Sequence, residues 1–151
     1  MRVSARTDNA VRATVELAAA GADSSTPLKL EQIVVAQAIP RRFLQKIMDE
    51  LREAGLVGAR RGPSGGYYLT RPANEVSVAD VIRATGGLLG GRHGREPKDL
   101  EYTGNAKALG ELWLVLGAAL DALETVTLAD IAEGKLPSLV RRLRAAVADS
   151  G

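Results

Sequence analysis

The sequence has no cysteine and a single histidine, His93, among 151 residues. Without thiols there is no disulfide, no thiol redox switch and no thiolate-ligated metal. Aromatic residues make up only 3% of the chain, so a core must be assembled mainly from Leu, Val, Ile and Ala. No apolar run approaches the roughly 18 residues that mark a membrane-spanning helix, and Met1-Arg2-Val3 does not open a secretory leader. A cytoplasmic protein with no membrane partner is therefore expected. Catalytic groups are equally scarce. A lone imidazole, no thiol and no serine beside a base argue against nucleophilic chemistry. The glycine runs do not sit between a strand and a helix as a phosphate-binding loop requires. No enzyme, no cofactor and no metal site is expected.

What is present is a chain able to fold and unevenly charged. Hydrophobic residues reach 46%, which excludes disorder. The net charge is +2, but residues 41–71 hold seven basic side chains (Arg41, Arg42, Lys46, Arg52, Arg60, Arg61, Arg71) against three acids. That segment is therefore +4 and the remainder −2. A cationic segment on a near-neutral body suggests a localised contact with a polyanion.

The same region organises the chain. Leu30, Ile33 and Val34 share one face of a short helix. Leu44, Ile47, Met48 and Leu51 follow the i, i+3, i+4, i+7 spacing of a second, strongly amphipathic one. Between them, Gln37-Ala38-Ile39-Pro40 reads as a turn, with Pro40 at the first helical position, where no backbone donor is needed. The second helix carries Arg41, Arg42, Gln45 and Lys46 near its start, where a helix-turn-helix presents its recognition residues. Two short strands then flank Arg61-Gly62-Pro63-Ser64-Gly65-Gly66, a wing over 57–72. The expected fold is mainly α with a small β-wing: a winged helix-turn-helix domain plus a long dimerisation helix.

Before this region, a helix is expected over 7–20, with Val11, Val15 and Ala18 on one face, Ala10, Thr14 and Leu17 beside it, and Thr7 or Asp8 as cap. Residues 22–27 form a polar loop. After it, Ser77 and Asp80 cap a helix whose Val78, Val81 and Ile82 face inward. Residues 86–104 hold six glycines in nineteen positions, too many for a regular element. A long loop of this kind suits an effector-type segment. His93 with Glu96, Asp99 and Glu101 fits no ligand motif there and reads as a solvated loop.

Residues 106–123 carry the longest helical pattern. Its stripe of Leu109, Leu112, Trp113, Leu116, Leu120 and Leu123 is wider than a small domain needs to cover, so a homodimer through this helix is expected. Thr127 and Asp130 cap a further short helix, ended by Gly134. A last one, over 137–147, turns Leu139, Val140, Leu143 and Val147 inward and Arg141, Arg142 and Arg144 to solvent. The expected division is a DNA-binding domain over 1–85, the glycine-rich loop over 86–104, and a dimerisation helix with C-terminal helices over 105–151.

Several stretches together resemble a known family: MRVSAR, AVRATVELA, LEQIVVAQAIPRRFLQKIMDELREAGLV, the wing RRGPSGGYYLTRP, VSVADVIRATGG and TLADI. They are similar, in order and over nearly the whole chain, to the IscR/NsrR/CymR-type winged helix-turn-helix transcriptional regulators of bacteria, the Rrf-two family. The wing motif from Arg61 to Leu69 is the most specific part. The resemblance implies a homodimer crossed through the long helix and bound to a pseudo-palindromic operator on double-stranded DNA, as a repressor. Many relatives ligate an iron–sulfur cluster through three cysteines in the loop before the dimer helix. This chain has none, and Asp8 and Arg12 in the first helix have no cysteine to complete a set. Two further departures are Asn9, where an aromatic is usual, and Ala38, where glycine is usual. Ala38 matters if the turn needs a positive φ.

The residues then divide by task. Arg42 and Gln45 are expected on base edges, since Arg and Gln can pair bidentately with guanine and adenine. Arg41 and Lys46 are expected on phosphate. Arg60 and Arg61 suit a narrow minor groove. Gly62, Ser64, Gly65 and Gly66 shape the wing tip. Tyr67 and Tyr68 point to opposite faces, one for the core and one for phosphate. Arg2 and Ser4 are implied, by their counterparts in relatives, on the DNA backbone. Two other readings stand beside DNA binding. One is a protein-interaction module controlling a partner enzyme. The other is a regulator sensing a small-molecule effector near Leu88, Leu89 and Trp113.

Overall fold

The computed structural model of the protein describes residues 3–86 and 107–149, the side chains of residues 107, 108, 110, 113, 114 and 118 excepted. Arg2, the loop over 87–104 with Leu88, Leu89 and His93, and the Trp113 side chain lie outside the described residues. The chain forms α1 (Ala5–Ala19), α2 (Leu30–Gln37), α3 (Arg41–Glu53), β1 (Val57–Arg60), β2 (Gly66–Leu69), α4 (Val78–Ala84), α5 (Lys107–Asp121), α6 (Leu128–Glu133) and α7 (Ser138–Asp149). This is the expected mainly helical architecture with a two-stranded wing.

Helix α1 starts earlier than its sequence suggests. Ser4 takes the cap position, and its hydroxyl accepts from the Thr7 amide at 3.1 Å, which satisfies one of the free amides of the first turn. Thr7, expected as a cap, is buried instead. The helix also packs on a slightly rotated face. Ala10, Ala13, Thr14 and Leu17 are fully buried, while Val11, Val15 and Ala18 flank the core partly covered. Small residues win the centre because they let the neighbouring helices approach closely. The buried Thr14 hydroxyl donates to the Ala10 carbonyl at 3.0 Å and is satisfied within its own helix.

The helix-turn-helix forms as its periodicity predicts. Leu30 and Ile33 of α2 are buried, as are Leu44, Ile47, Met48 and Leu51 of α3. The turn between them is left-handed at Ala38, with φ 52° and ψ 41°. Ile39 is buried just after it. Pro40 caps α3 rather than opening it, one position earlier than expected. Its carbonyl accepts from the Phe43 and Leu44 amides at 3.0 and 2.9 Å. At the other end Leu56 donates back to the Leu51 carbonyl at 3.0 Å, closing α3 and returning the chain to the core.

Strands β1 and β2 pair antiparallel, Val57 opposite Leu69 and Arg60 opposite Gly66. Leu28 adds a bridge to β2, exchanging two 2.8 Å bonds with Tyr67. The wing is thereby tied to the segment that launches α2.

The core is completed from far along the chain. The Val78 amide donates to Val126 at 2.8 Å and the Leu128 amide to Val76 at 2.9 Å. Two capping boxes, Ser77 with Asp80 and Thr127 with Asp130, therefore lie side by side as α4 and α6 begin. Leu128 is fully buried, and α6 packs against α1.

The two remaining helices leave apolar surface open. On α5, Leu109, Leu112, Val115 and Leu116 are exposed and Leu120 is half-buried, as is Leu123 in the turn that follows. On α7 no residue is buried. The inward face expected for Leu139, Val140, Leu143 and Val147 is thus corrected: Val140 is half-covered and the other three are exposed. Amphipathic spacing specifies a helix, but burial needs an opposing surface, and Leu128 and Val126 have already closed the core without α7.

Candidate nucleic-acid interface

The start of α3, the start of α2 and the wing enclose an open groove of about 490 Å³. Lys29, Arg41, Gln45, Arg52, Arg61 and Tyr67 are on its walls. Of the residues expected to meet DNA, Arg41, Gln45, Arg60, Arg61, Gly62, Gly65, Gly66 and Tyr67 line this groove, while Arg42, Lys46, Ser64 and Ser4 lie outside its lining. Arg41 forms an ion pair with Glu31, and Arg52 lies 3.9 Å from Asp49. Arg42, Lys46 and Arg61 are exposed and carry no ion pair or side-chain hydrogen bond among the described residues. Arg42 and Lys46 are four residues apart and share one outward face of α3.

Arg60 has a different task from Arg61. One guanidinium nitrogen donates to the Ser24 and Ser25 carbonyls, both at 3.1 Å. The other donates to the Ser64 carbonyl at 2.8 Å and to Ser64 Oγ at 3.3 Å. Four acceptors, at Ser64 in the wing and at Ser24 and Ser25 in the loop beside it, hold this cation, whereas Arg61 has no such partner among the described residues. The anchoring loop is itself organised by Asp23, whose Oδ1 accepts from the amides of Ser25 and Thr26, each at 2.8 Å, and from both their hydroxyls. These bonds, the Ser25 hydroxyl first among them, hold the Asp23 carboxyl far below the ordinary carboxylate range.

The wing tip depends on two close approaches. A Cβ on Gly65 would sit 2.1 Å from the Arg60 carbonyl oxygen, and one on Gly66 would sit 2.4 Å from that of Leu28. Both neighbours are backbone and cannot yield. Gly62 and Ser64 are exposed at the tip.

The two tyrosines separate as alternation requires. Tyr68 lies over Gly58, where an added Cβ would meet its ring at 2.3 Å. Tyr67 turns toward α3, and its hydroxyl accepts from Gln45 Nε2 at 2.8 Å. Gln45 Nε2 also lies 3.3 Å from Asp49 Oδ1.

Polar contacts that sequence patterns do not reveal brace the reader from behind. Arg12 of α1 donates to the Gln37 carbonyl at 2.8 Å, to the buried Asn9 side chain, and pairs with Asp8 at 3.1 Å. It thereby grips the last turn of α2 just before Ala38. Arg6 forks onto Glu50, its Nε donating to Oε2 at 2.9 Å, and links the start of α1 to α3. Ser4 is engaged as the α1 cap.

The family model described as Rrf2, iron-dependent transcriptional regulator, matches residues 3–134. The chain belongs to the Rrf2 family. A Mycobacterium tuberculosis protein named as an HTH-type transcriptional regulator, Rv1287, is 44% identical over 144 residues, covering 95% of this chain and 88% of that protein. Among solved structures, CymR, the global cysteine regulator of B. subtilis, superposes with a TM-score of 0.70 at 28% identity, covering 88% of this chain and 97% of that one. The IscR of T. potens gives 0.68 at 28% identity, covering 89% and 88%. This Rrf2 protein is a DNA-binding transcriptional regulator of bacterial type, as are the relatives that share its fold. No described helix is long and apolar enough to cross a membrane.

An iron–sulfur cluster held by thiolates does not fit this Rrf2 chain. It has no cysteine, and the α1 carboxylate of Asp8 is committed to Arg12. Among the described residues no three His, Asp or Glu side chains come close enough to share a metal.

Proposed function

We propose that the protein acts as a homodimeric, sequence-specific repressor on a pseudo-palindromic operator, without an iron–sulfur cluster. The observation that carries this reading is the set of three exposed cations, Arg42, Lys46 and Arg61, that have no counter-ion among the described residues. They sit on the two elements that a winged helix offers to duplex DNA. In this reading α3 enters the major groove, with Arg42 and Gln45 on base edges and Lys46 on phosphate. Arg41 exchanges Glu31 for a phosphate. Arg61 approaches the minor groove over a tip built by Gly62, Ser64, Gly65 and Gly66, and the Tyr67 hydroxyl donates to the backbone. Arg2 and Ser4 flank the same strand.

Dimerisation is assigned to residues 105–151, through Leu109, Leu112, Trp113, Leu116, Leu120 and Leu123. The open apolar side of α5 supports it, since a surface of this kind is rarely left to water. The reader is assigned to 1–85 and the loop 86–104 to an effector. Two readers on one spine would meet half-sites about 34 Å apart, one helical turn.

The test is recovery of bound fragments from randomised duplex DNA, followed by titration of a recovered site across salt. A two-fold symmetric site and a steep loss of affinity with salt are expected. Salt-insensitive retention, or none, would leave the alternative that the winged helix docks on a partner enzyme.

A further inference from the structure

Resting on DNA recognition by α3, the geometry points to Gln45 as an acceptor-only reader: it selects the exocyclic amino group of adenine or cytosine and does not pair bidentately with adenine. A free glutamine side chain offers a carbonyl oxygen and two N–H donors. Here both hydrogens face protein acceptors. Nε2 lies 2.8 Å from the Tyr67 hydroxyl oxygen and 3.3 Å from Asp49 Oδ1. The assignment of oxygen and nitrogen follows from chemistry, because the Asp49 carboxylate can only accept. The amide must therefore turn its NH₂ toward it. Gln45 Oε1 has no partner among the described residues.

The amide is held on both sides. Tyr67 is fixed by its paired backbone bonds to Leu28 and by core packing, and Asp49 lies one turn along α3. Tyr67 and Asp49 are positioning residues, and Gln45 is the one that meets the base. In the major groove, adenine presents N6–H₂ and cytosine N4–H₂ as donors, while guanine O6 and thymine O4 only accept. An amide reduced to its oxygen accepts from the first two and is repelled by the others. A glutamine with a free N–H would add a bond to adenine N7 and separate adenine from cytosine. The bound strand is thus read as amino against keto at one base of each half-site.

Sequencing of bound duplexes from a randomised pool tests this, using the full-length protein and its variants. The wild type should enrich adenine and cytosine together over guanine and thymine by about tenfold at one position. Gln45→Ala should flatten that position alone. Tyr67→Phe combined with Asp49→Ala frees both hydrogens and should raise adenine over cytosine severalfold at the same base. Gln45→Glu, which can only accept, should keep the amino preference. The proposal is overturned if the position flattened by Gln45→Ala prefers guanine or thymine in the wild type, or already prefers adenine over cytosine tenfold. It is also overturned if no position flattens. Failure of the wild type to enrich any sequence sinks the operator reading itself, a different result from enrichment with the wrong base.

Discussion

The Arg60 guanidinium donates to the Ser64 carbonyl at 2.8 Å across the tip of its own wing. The neighbouring Arg61 has no such tie among the described residues. Adjacent arginines in one motif therefore have separable effects on DNA binding. Arg61→Ala removes a cation from the interface and should lower the log–log salt slope by roughly two per dimer, one for each copy. Arg60→Ala loosens the wing and should weaken binding about tenfold with the slope nearly unchanged. Filter binding of a recovered site at several salt concentrations separates the two. Equal slopes for both variants would refute the division.

Ala38 holds a conformation that disfavours a side chain, at φ 52°. A residue with a Cβ pays roughly 1–2 kcal/mol there, and the Arg12 bond to Gln37 and burial of Ile39 offset it. Ala38→Gly should stabilise the protein by about 1 kcal/mol after the entropy lost by glycine is counted. Arg12→Ala should destabilise it by about 1–2 kcal/mol, since a charged donor leaves a helix-end carbonyl unmatched. Urea unfolding with unchanged m-values measures both.

These contacts show how far local pattern carries. The stripe of Leu44, Ile47, Met48 and Leu51 is legible because one amphipathic face decides both the helix and its burial. The wing is legible because its glycines and its paired strands are contiguous. The centre of α1 is less so: hydrophobicity favours Val11 and Val15, while close packing favours Ala10 and Ala13. Arg60 looks like a free cation until Ser24 and Ser25 arrive from some 35 positions upstream. Gln45 looks like a free amide until Tyr67 comes across from β2. Leu128 joins the core only because it and Val126 pair with Val76 and Val78 across the tertiary structure. What periodicity misses are polar contacts at long separation, which leave no repeat in the sequence. Asp23 is the exception, since an Asp followed by Ser-Ser-Thr announces an Asx turn.

The exposed side of α5 makes a prediction that does not depend on DNA. Leu112 and Leu116 are 57% and 41% exposed, so replacing both with Glu should spare the fold of one chain. In a dimer the same change buries two charges per copy without partners, which is prohibitive. Sedimentation should show dimer for the wild type and monomer for Leu112→Glu with Leu116→Glu, with helical content retained. A variant that stays dimeric would move the interface elsewhere. Affinity for a two-half-site fragment should fall at least a hundredfold with the monomer, because the second half-site is no longer delivered at high local concentration.

Asp23 links pH to the wing through the loop it organises. Its carboxyl is held well below the ordinary range by bonds from Ser25 and Thr26. The sign follows from linkage. A group whose folded pKa is depressed contributes stability in full above its unfolded value, near 3.9, and loses it as pH falls toward the folded value. The contribution of Asp23 to stability and DNA binding should therefore be full and independent of pH between pH 6 and 8, and the wild type should lose the advantage only in strong acid. Asp23→Ala removes the anchor at every pH. The carbonyls of Ser24 and Ser25 then move freely, and Arg60 loses two of its four acceptors. At neutral pH this variant should resemble Arg60→Ala in DNA affinity, with the salt slope again unchanged. The double variant should be no weaker than Arg60→Ala alone, because the two residues act in one chain of contacts. Additive losses would show that Asp23 reaches the DNA by another route.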